Sequence, residues 1–245
     1  QEAHSGFTGV RLPGGAGAVY YYHRLLSGTS GLMLVGASGA PKVLLEVTGL
    51  YADTLDNTLG FSLDGKVGAV VEGKTKVHLF RTDGGTLSGG KSVVEITPAA
   101  STTYASFSAS SLTFAGAHIY CVGRDASGDD VLLRAPSDGA TPLAPLTLPQ
   151  SAGATPKAVN PQMVVSADQK TMALTAGSMS TVTDLYVLDL ASGKARNITA
   201  SPSYISARGS SFGSLGGQLA ISPKGEQAAF VKWVNGTPEL YITGT

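Results

Sequence analysis

Residues 221–230 read Ile221-Ser222-Pro223-Lys224-Gly225-Glu226-Gln227-Ala228-Ala229-Phe230. An apolar residue closes one strand, a tight turn containing Gly follows, and a new apolar strand begins. The same shape stands at Val165-Ser166-Ala167-Asp168-Gln169-Lys170-Thr171-Met172-Ala173-Leu174 and at Leu63-Asp64-Gly65-Lys66-Val67-Gly68-Ala69-Val70. It also stands at Leu12-Pro13-Gly14-Gly15-Ala16-Gly17-Ala18-Val19, with a degenerate copy at Phe107-Ser108-Ala109-Ser110-Ser111-Leu112-Thr113-Phe114. Anchored on positions 11, 62, 108, 166 and 222, the copies recur every 46 to 58 residues. A second anchor, an apolar strand running into a polar-Gly turn, recurs in phase at Ser38-Gly39, Asp83-Gly84, Asp138-Gly139, Ser192-Gly193 and Thr243-Gly244. Two anchors in phase five times make this a repeat protein.

Each unit of about 50 residues holds four strand candidates. In the fourth unit these are 162–166, 171–176, 185–190 and 194–199. Elsewhere short runs such as Ala18-Val19-Tyr20-Tyr21-Tyr22 and Val43-Leu44-Leu45-Glu46-Val47 alternate and are rich in β-branched and aromatic residues. Glycines interrupt nearly every window of helical length. The expectation is an all-β chain, a β-propeller of about five four-stranded antiparallel blades in one domain, 1–245. The units lie near 6–49, 50–98, 99–149, 150–200 and 201–245. A lone four-stranded sheet leaves two faces bare, whereas blades set side by side cover each other.

Composition agrees. The 245 residues carry 17 basic and 17 acidic side chains, a net charge of zero, 42% hydrophobic and only 14% charged residues. There is enough apolar material for a core, which excludes a disordered chain. No basic excess exists to displace phosphate counterions, so no nucleic-acid partner is expected. No apolar run reaches the ~18 residues of a spanning helix. One cysteine, Cys121, excludes an intrachain disulfide and a cysteine zinc site, and its alternating surroundings make it a buried hydrophobe. Opening on Gln1 rather than Met fits a trimmed N-terminus, as signal-peptide removal, a cloning choice or an incompletely known chain leaves. Low charge with abundant Gly, Ser and Thr suits a periplasmic or extracellular protein.

At the turns the sequence resembles the TolB-like family of propeller repeats, related to the WD-type repeats. The fifth unit carries the resemblance best, in Ser222-Pro223-Lys224-Gly225, Ala229-Phe230-Val231, Asn235-Gly236 and Glu239-Leu240-Tyr241. The fourth gives Ser166-Ala167-Asp168 and Leu185-Tyr186-Val187-Leu188-Asp189-Leu190, the second Ser62-Leu63-Asp64-Gly65-Lys66. These are scaffold residues that build turns. The resemblance implies a propeller and brings no active site. Family members serve as protein-binding modules of the bacterial envelope or as propeller halves of serine peptidases. Five units are fewer than the family's usual six or seven. Either the run 6–10 supplies the fifth unit's outer strand and closes the ring, or the chain is part of a larger propeller.

The motifs that carry chemistry are few. Gly209-Ser210-Ser211-Phe212-Gly213 matches a nucleophile elbow, but no helix start follows, and His4, His23, His78 and His118 all precede it. No catalytic or cofactor-binding residue is assigned. Asp125, Asp129 and Asp130 cluster with calcium-like spacing and are the metal candidates, though no Glu follows at the distance an EF-hand needs. In the repeat this stretch is a hairpin between a blade's second and third strands, so a solvated turn is expected and no cofactor. The aromatic run Tyr20-Tyr21-Tyr22 is expected to be half core and half surface, and Asn197-Ile198-Thr199 is a glycosylation sequon by pattern. The expected function is a non-catalytic interaction or scaffold propeller with a protein partner or larger assembly. The alternatives are a propeller-type carbohydrate-active enzyme, or the propeller part of a prolyl-oligopeptidase-like peptidase. The first alternative would want carboxylates on inner strands, and Gln162-Met163-Val164-Val165 and Gly217-Gln218-Leu219-Ala220-Ile221 carry none.

Overall fold

In the computed structural model the described residues are 4–5, 9–15, 17–24, 29–36, 40–47, 59–98, 104–108, 111–150, 155–179, 182–199, 205–206, 219–234 and 237–245. They form five antiparallel sheets with no α-helix among them. The first holds β1 (His4–Ser5), β2 (Gly9–Arg11), β3 (Gly17–Arg24), β4 (Ser30–Gly36) and β5 (Lys42–Val47). The second holds β6 (Leu59–Phe61), β7 (Val67–Glu72), β8 (Lys76–Arg81) and β9 (Val93–Glu95). The third holds β10 (Tyr104–Phe107), β11 (Thr113–Ala115), β12 (His118–Asp125), β13 (Asp130–Pro136) and β14 (Ala144–Pro145). The fourth holds β15 (Ala158–Val165), β16 (Thr171–Met179), β17 (Val182–Asp189), β18 (Ala195–Asn197) and β19 (Ile205–Ser206), and the fifth β20 (Leu219–Ile221), β21 (Gln227–Val234) and β22 (Thr237–Gly244).

The five-membered sheets are four-position meanders in which one position is broken in two. β1 and β2 both pair with β3, β10 and β11 both with β12, and β18 and β19 both with β17. Among the described residues the fifth sheet fills three positions, β20-β21-β22.

One turn recurs between the first and second positions. The N–H of its first residue donates to the C=O five residues on, and the N–H of its fourth donates back to the C=O of its first. This occurs at Leu12/Gly17 with Gly15, Ser62/Val67 with Gly65, Ser166/Thr171 with Gln169, and Ser222/Gln227 with Gly225. The fourth residue is left-handed each time, with φ of 75°, 68°, 58° and 73°, which explains Gly in three of the four copies. Where Ser leads the turn, its hydroxyl accepts the N–H of the sixth residue, as in Val67, Thr171 and Gln227. Where Asp stands third, its carboxylate takes the Ser hydroxyl at 2.8 Å in Asp64 and 2.6 Å in Asp168. Those hydrogen bonds hold both carboxyls below the usual range.

Two expectations need correction. The third unit's turn is not at Ser108: β11 and β12 meet at Ala115↔His118 around Gly116, whose φ is 57°. Ser108 instead accepts from the N–H and hydroxyl of Ser111, where β10 breaks before β11. Nor do Gly9 and Val10 of the run 6–10 lie in the fifth sheet. Gly9 and Val10 pair with Tyr20 and Val19 in the first sheet, because Val10 and Arg11 continue directly into that sheet's own turn. Residues 6–8 lie outside the described residues.

The chain divides into two compact units, 1–121 with 134–144, and 122–133 with 145–245. In the first unit, Leu12, Val19, Tyr21, Leu32, Leu44 and Leu45 of the first sheet pack on Val70 and Phe80 of the second. Gly68 makes room there, since a Cβ on it would strike the Phe80 ring, which meets Phe61 edge-on at 6.2 Å. In the second unit, Ala173 and Leu185 of the fourth sheet pack on Ala228 and Phe230 of the fifth, joined by Ile198, Leu219, Ile221 and Tyr241. The turns stack too. The Asp168 N–H donates to Pro223 C=O at 3.2 Å. Sheet-on-sheet burial is thus the core of each unit, as a repeat of sheets with two apolar faces requires.

Candidate functional site

The metal candidates lie in the β12–β13 hairpin of the second unit. Asp125 folds the turn onto itself. Its carboxylate accepts the N–H groups of Ser127 and Asp129, both at 2.9 Å, while Gly128 turns at φ 84°. Asp129 pairs with Lys157 Nζ at 3.0 Å, and Asp130 takes Arg124 Nε at 3.0 Å and the Val159 N–H at 3.4 Å. The three carboxylates point to different partners. Among the described residues, no group of three or more His, Cys, Asp or Glu is placed to hold a metal ion. The alternate spacing of these acids also fits an Asx-type turn.

Beside this hairpin lies a groove of about 170 Å³. Val131 and Leu132 form one wall, the short β14 and its extension Pro145-Leu146-Thr147-Leu148 another, and Thr155, Pro156 and Val159 the third, with Asp130 at the rim. The groove exists because β14 is only two residues long. Past Leu146, whose N–H donates to Leu132 C=O, the chain leaves the sheet and uncovers the flank of β13. The lining is mostly apolar, with two threonines, Thr147 and Thr155, and one ionisable group, Asp130.

The other sequence candidates are placed elsewhere. Tyr21 and Tyr22 are buried, their hydroxyls bonded to Ser30 at 3.0 Å and Glu46 at 2.9 Å, and Tyr20 is half-buried. The run is therefore mostly core. His78 is buried against Glu72 at 2.8 Å. His118 is half-buried, and burial followed by the charge of Arg134 lowers its pKa. His4 and His23 lie on β1 and β3. Burial pushes the Cys121 thiol well above its ordinary value. Gly209–Gly213 lies outside the described residues, as does Asn235-Gly236.

The sequon Asn197-Ile198-Thr199 is a structural pin, which the sequence reading missed. Asp184 is fully buried. Asn197 Nδ2 donates to Asp184 Oδ2 at 2.8 Å and to the Tyr186 hydroxyl at 3.3 Å, and Thr199 Oγ1 donates to Asp184 Oδ1 at 2.9 Å. Thr199 Oγ1 also accepts the Leu185 N–H at 3.0 Å, and the Ile198 N–H donates to Leu185 C=O at 2.8 Å. The second sheet repeats the backbone half of this pin, with Val77 N–H on Thr97 Oγ1 at 2.9 Å and Ile96 N–H on Val77 C=O at 2.9 Å. The findable signal was the shared ending Glu95-Ile96-Thr97 and Asn197-Ile198-Thr199.

The chain matches no protein-family model and no curated protein by sequence. Solved structures do resemble it. The oligogalacturonate lyase of Vibrio parahaemolyticus matches with a TM-score of 0.54 at 15% identity, over 99% of this chain and 66% of that one. The β-propeller domain of the trilobed protease from Pyrococcus furiosus matches with a TM-score of 0.52 at 13% identity, over 98% and 68%. TolB from Acinetobacter baumannii matches with a TM-score of 0.48 at 16% identity, over 99% of this chain and 52% of that one. The chain thus spans about half to two-thirds of the length of these structures. Likeness at such identities speaks for fold alone. Together with the repeated antiparallel meander, it makes this an all-β chain of the β-propeller fold.

Proposed function

We propose that the protein is a non-catalytic interaction propeller of the bacterial envelope or extracellular space, and that the groove beside the β12–β13 hairpin receives an apolar side chain of a protein partner. The observation that carries this reading is how the acids at that groove are used. Asp130, the one acid of the lining, is held by Arg124 and the Val159 N–H, while Asp125 and Asp129 of the adjoining hairpin bond the turn and Lys157, leaving an apolar cleft with a single paired acid at its rim. That is the composition of a protein-binding hot spot rather than of an acid–base site. The test compares wild type with Thr155→Arg, a change at an exposed residue of the lining. Immobilised wild-type protein should retain a stoichiometric partner from envelope extract, and the variant should lose it while unfolding at the same denaturant midpoint. Turnover of polysaccharides or peptides by the purified protein, or a partner retained equally by both forms, would refute the reading.

A further inference from the structure

Tyr120 on β12 is fully buried, and among the described residues its hydroxyl is the one buried side-chain polar group with no hydrogen bond of acceptable geometry. The ladders on either side define its neighbours. The Asp125 N–H donates to Asp129 C=O at one end of the β12–β13 hairpin and the Ser137 N–H to Ala117 C=O at the other, a register that sets Tyr120 opposite Arg134. On its other side Tyr120 pairs with Thr113 of β11. His118, two residues back on the same face, holds its ring 6.3 Å from that of Tyr120. All four residues belong to the first compact unit. Burial raises the pKa of the Tyr120 hydroxyl, while the charge of Arg134 and then a hydrogen bond from it act the other way. A guanidinium can only donate, so whatever it gives the phenolic oxygen, the phenolic proton is left without an acceptor. Arg134 is half-buried, and among the described residues no carboxylate pairs with it.

We infer that Tyr120 and Arg134 form an anion site that takes a carboxylate group. The site is separate from the groove and does not depend on the interaction reading. A carboxylate supplies what both residues lack: two oxygens that accept from the guanidinium fork, and a lone pair for the phenolic O–H. Water would satisfy the hydroxyl yet leave the guanidinium charge unpaired, so the neighbouring Arg selects an anion. The hydroxyl is closed to solvent whereas Arg134 is partly exposed. The anion therefore lands on the guanidinium and reaches the hydroxyl as the Arg134 side chain shifts. His118 adds no charge at neutral pH, since burial and then Arg134 lower its pKa. Asp138, whose charge acts the other way on His118, is exposed and accepts the Ala140 N–H at 2.9 Å.

The probe is sodium acetate, titrated into the full chain against sodium chloride at constant ionic strength while the Arg134 Nε–H resonance is followed. A saturable shift with a millimolar midpoint is expected, and acetate should raise the thermal midpoint. Tyr120→Phe should weaken acetate binding about tenfold, as losing a hydrogen bond to a charged group does. Arg134→Gln should abolish it, and Arg134→Lys, which keeps the charge without the fork, should leave it weakened. Tyr120→Phe has a second readout in acetate-free buffer. Because the hydroxyl has no acceptor within the fold, the variant's urea midpoint should equal or exceed that of wild type. A lower midpoint would show the hydroxyl to be bonded inside the protein and overturn the inference. An unsaturable acetate response, or equal acetate binding by Tyr120→Phe, would overturn it too. A tripeptide Ala-Asp-Ala, capped at both ends, separates the sources of the carboxylate. Binding comparable to acetate's assigns the site to an acidic side chain of a partner, and binding of acetate alone assigns it to a free small acid.

Discussion

Gly225→Ala tests how the fourth and fifth sheets stack. Gly225 sits at φ 73°, where an L-residue costs about 1–2 kcal/mol. A Cβ placed there would also lie 2.6 Å from Thr171 Cβ, with Thr171 Oγ1 nearer still. Both belong to a β-branched side chain at the start of β16, so the clash cannot be relieved by swinging a flexible chain end, and overpacking of this kind costs ~1–3 kcal/mol. Restricting the unfolded chain returns about 0.4–1 kcal/mol. The sum is a loss of roughly 2–3 kcal/mol. Gly128→Ala is the control: φ is 84°, but nothing lies within 4 Å of the added methyl, so only the backbone term applies, about 1 kcal/mol or less. Urea unfolding should show both midpoints lowered at a common slope, Gly225→Ala clearly the more. Equal losses would mean that Thr171 does not press on the fifth sheet's turn, and the stacking argued for that unit would fall.

Thr199→Val should cost about 2–3 kcal/mol and Thr97→Val nearer 1, because only Thr199 also serves a buried carboxylate; urea midpoints of the two variants check the order. Lys224→Asp should stabilise by roughly 0.5–1 kcal/mol, since it restores the third-residue carboxylate that Ser62 and Ser166 bond in their own turns; a higher thermal midpoint is the readout. Asp83 is held down to about 2, first by its bonds from Arg81 and then by the Gly85 N–H. A folded pKa below the unfolded 3.8 means its contribution is complete above about pH 4 and is lost as pH falls toward 2. The stability difference between wild type and Asp83→Asn should therefore shrink over that window, and a difference independent of pH would contradict the pairing.

Turn chemistry was legible because it is local. Ser, Asp and Gly at fixed offsets dictate the six-residue turn whatever surrounds it, so four of its five copies could be found from residues alone. The fifth was misplaced at Ser108 because a Ser-rich stretch mimics the pattern, and only the pairing Ala115↔His118 shows which Gly turns the chain. The spacing of the calcium candidates Asp125, Asp129 and Asp130 fits two geometries, and one of their partners, Lys157, lies 27 positions beyond Asp130, where no local motif announces it. The groove was invisible for a related reason. It is made by the early end of β14 and by a wall that returns from the next sheet, neither of which has a motif.

The sequence by itself determined the all-β class, the phase of the repeat and the turns, since alternation and left-handed glycines act within a few residues of themselves. The tertiary structure decided which sheet each strand joined, as with β2, and which polar groups met in the dark, as at Asp184. Those outcomes depend on contacts between residues far apart in the chain, where register and burial choose among partners that look alike in one dimension.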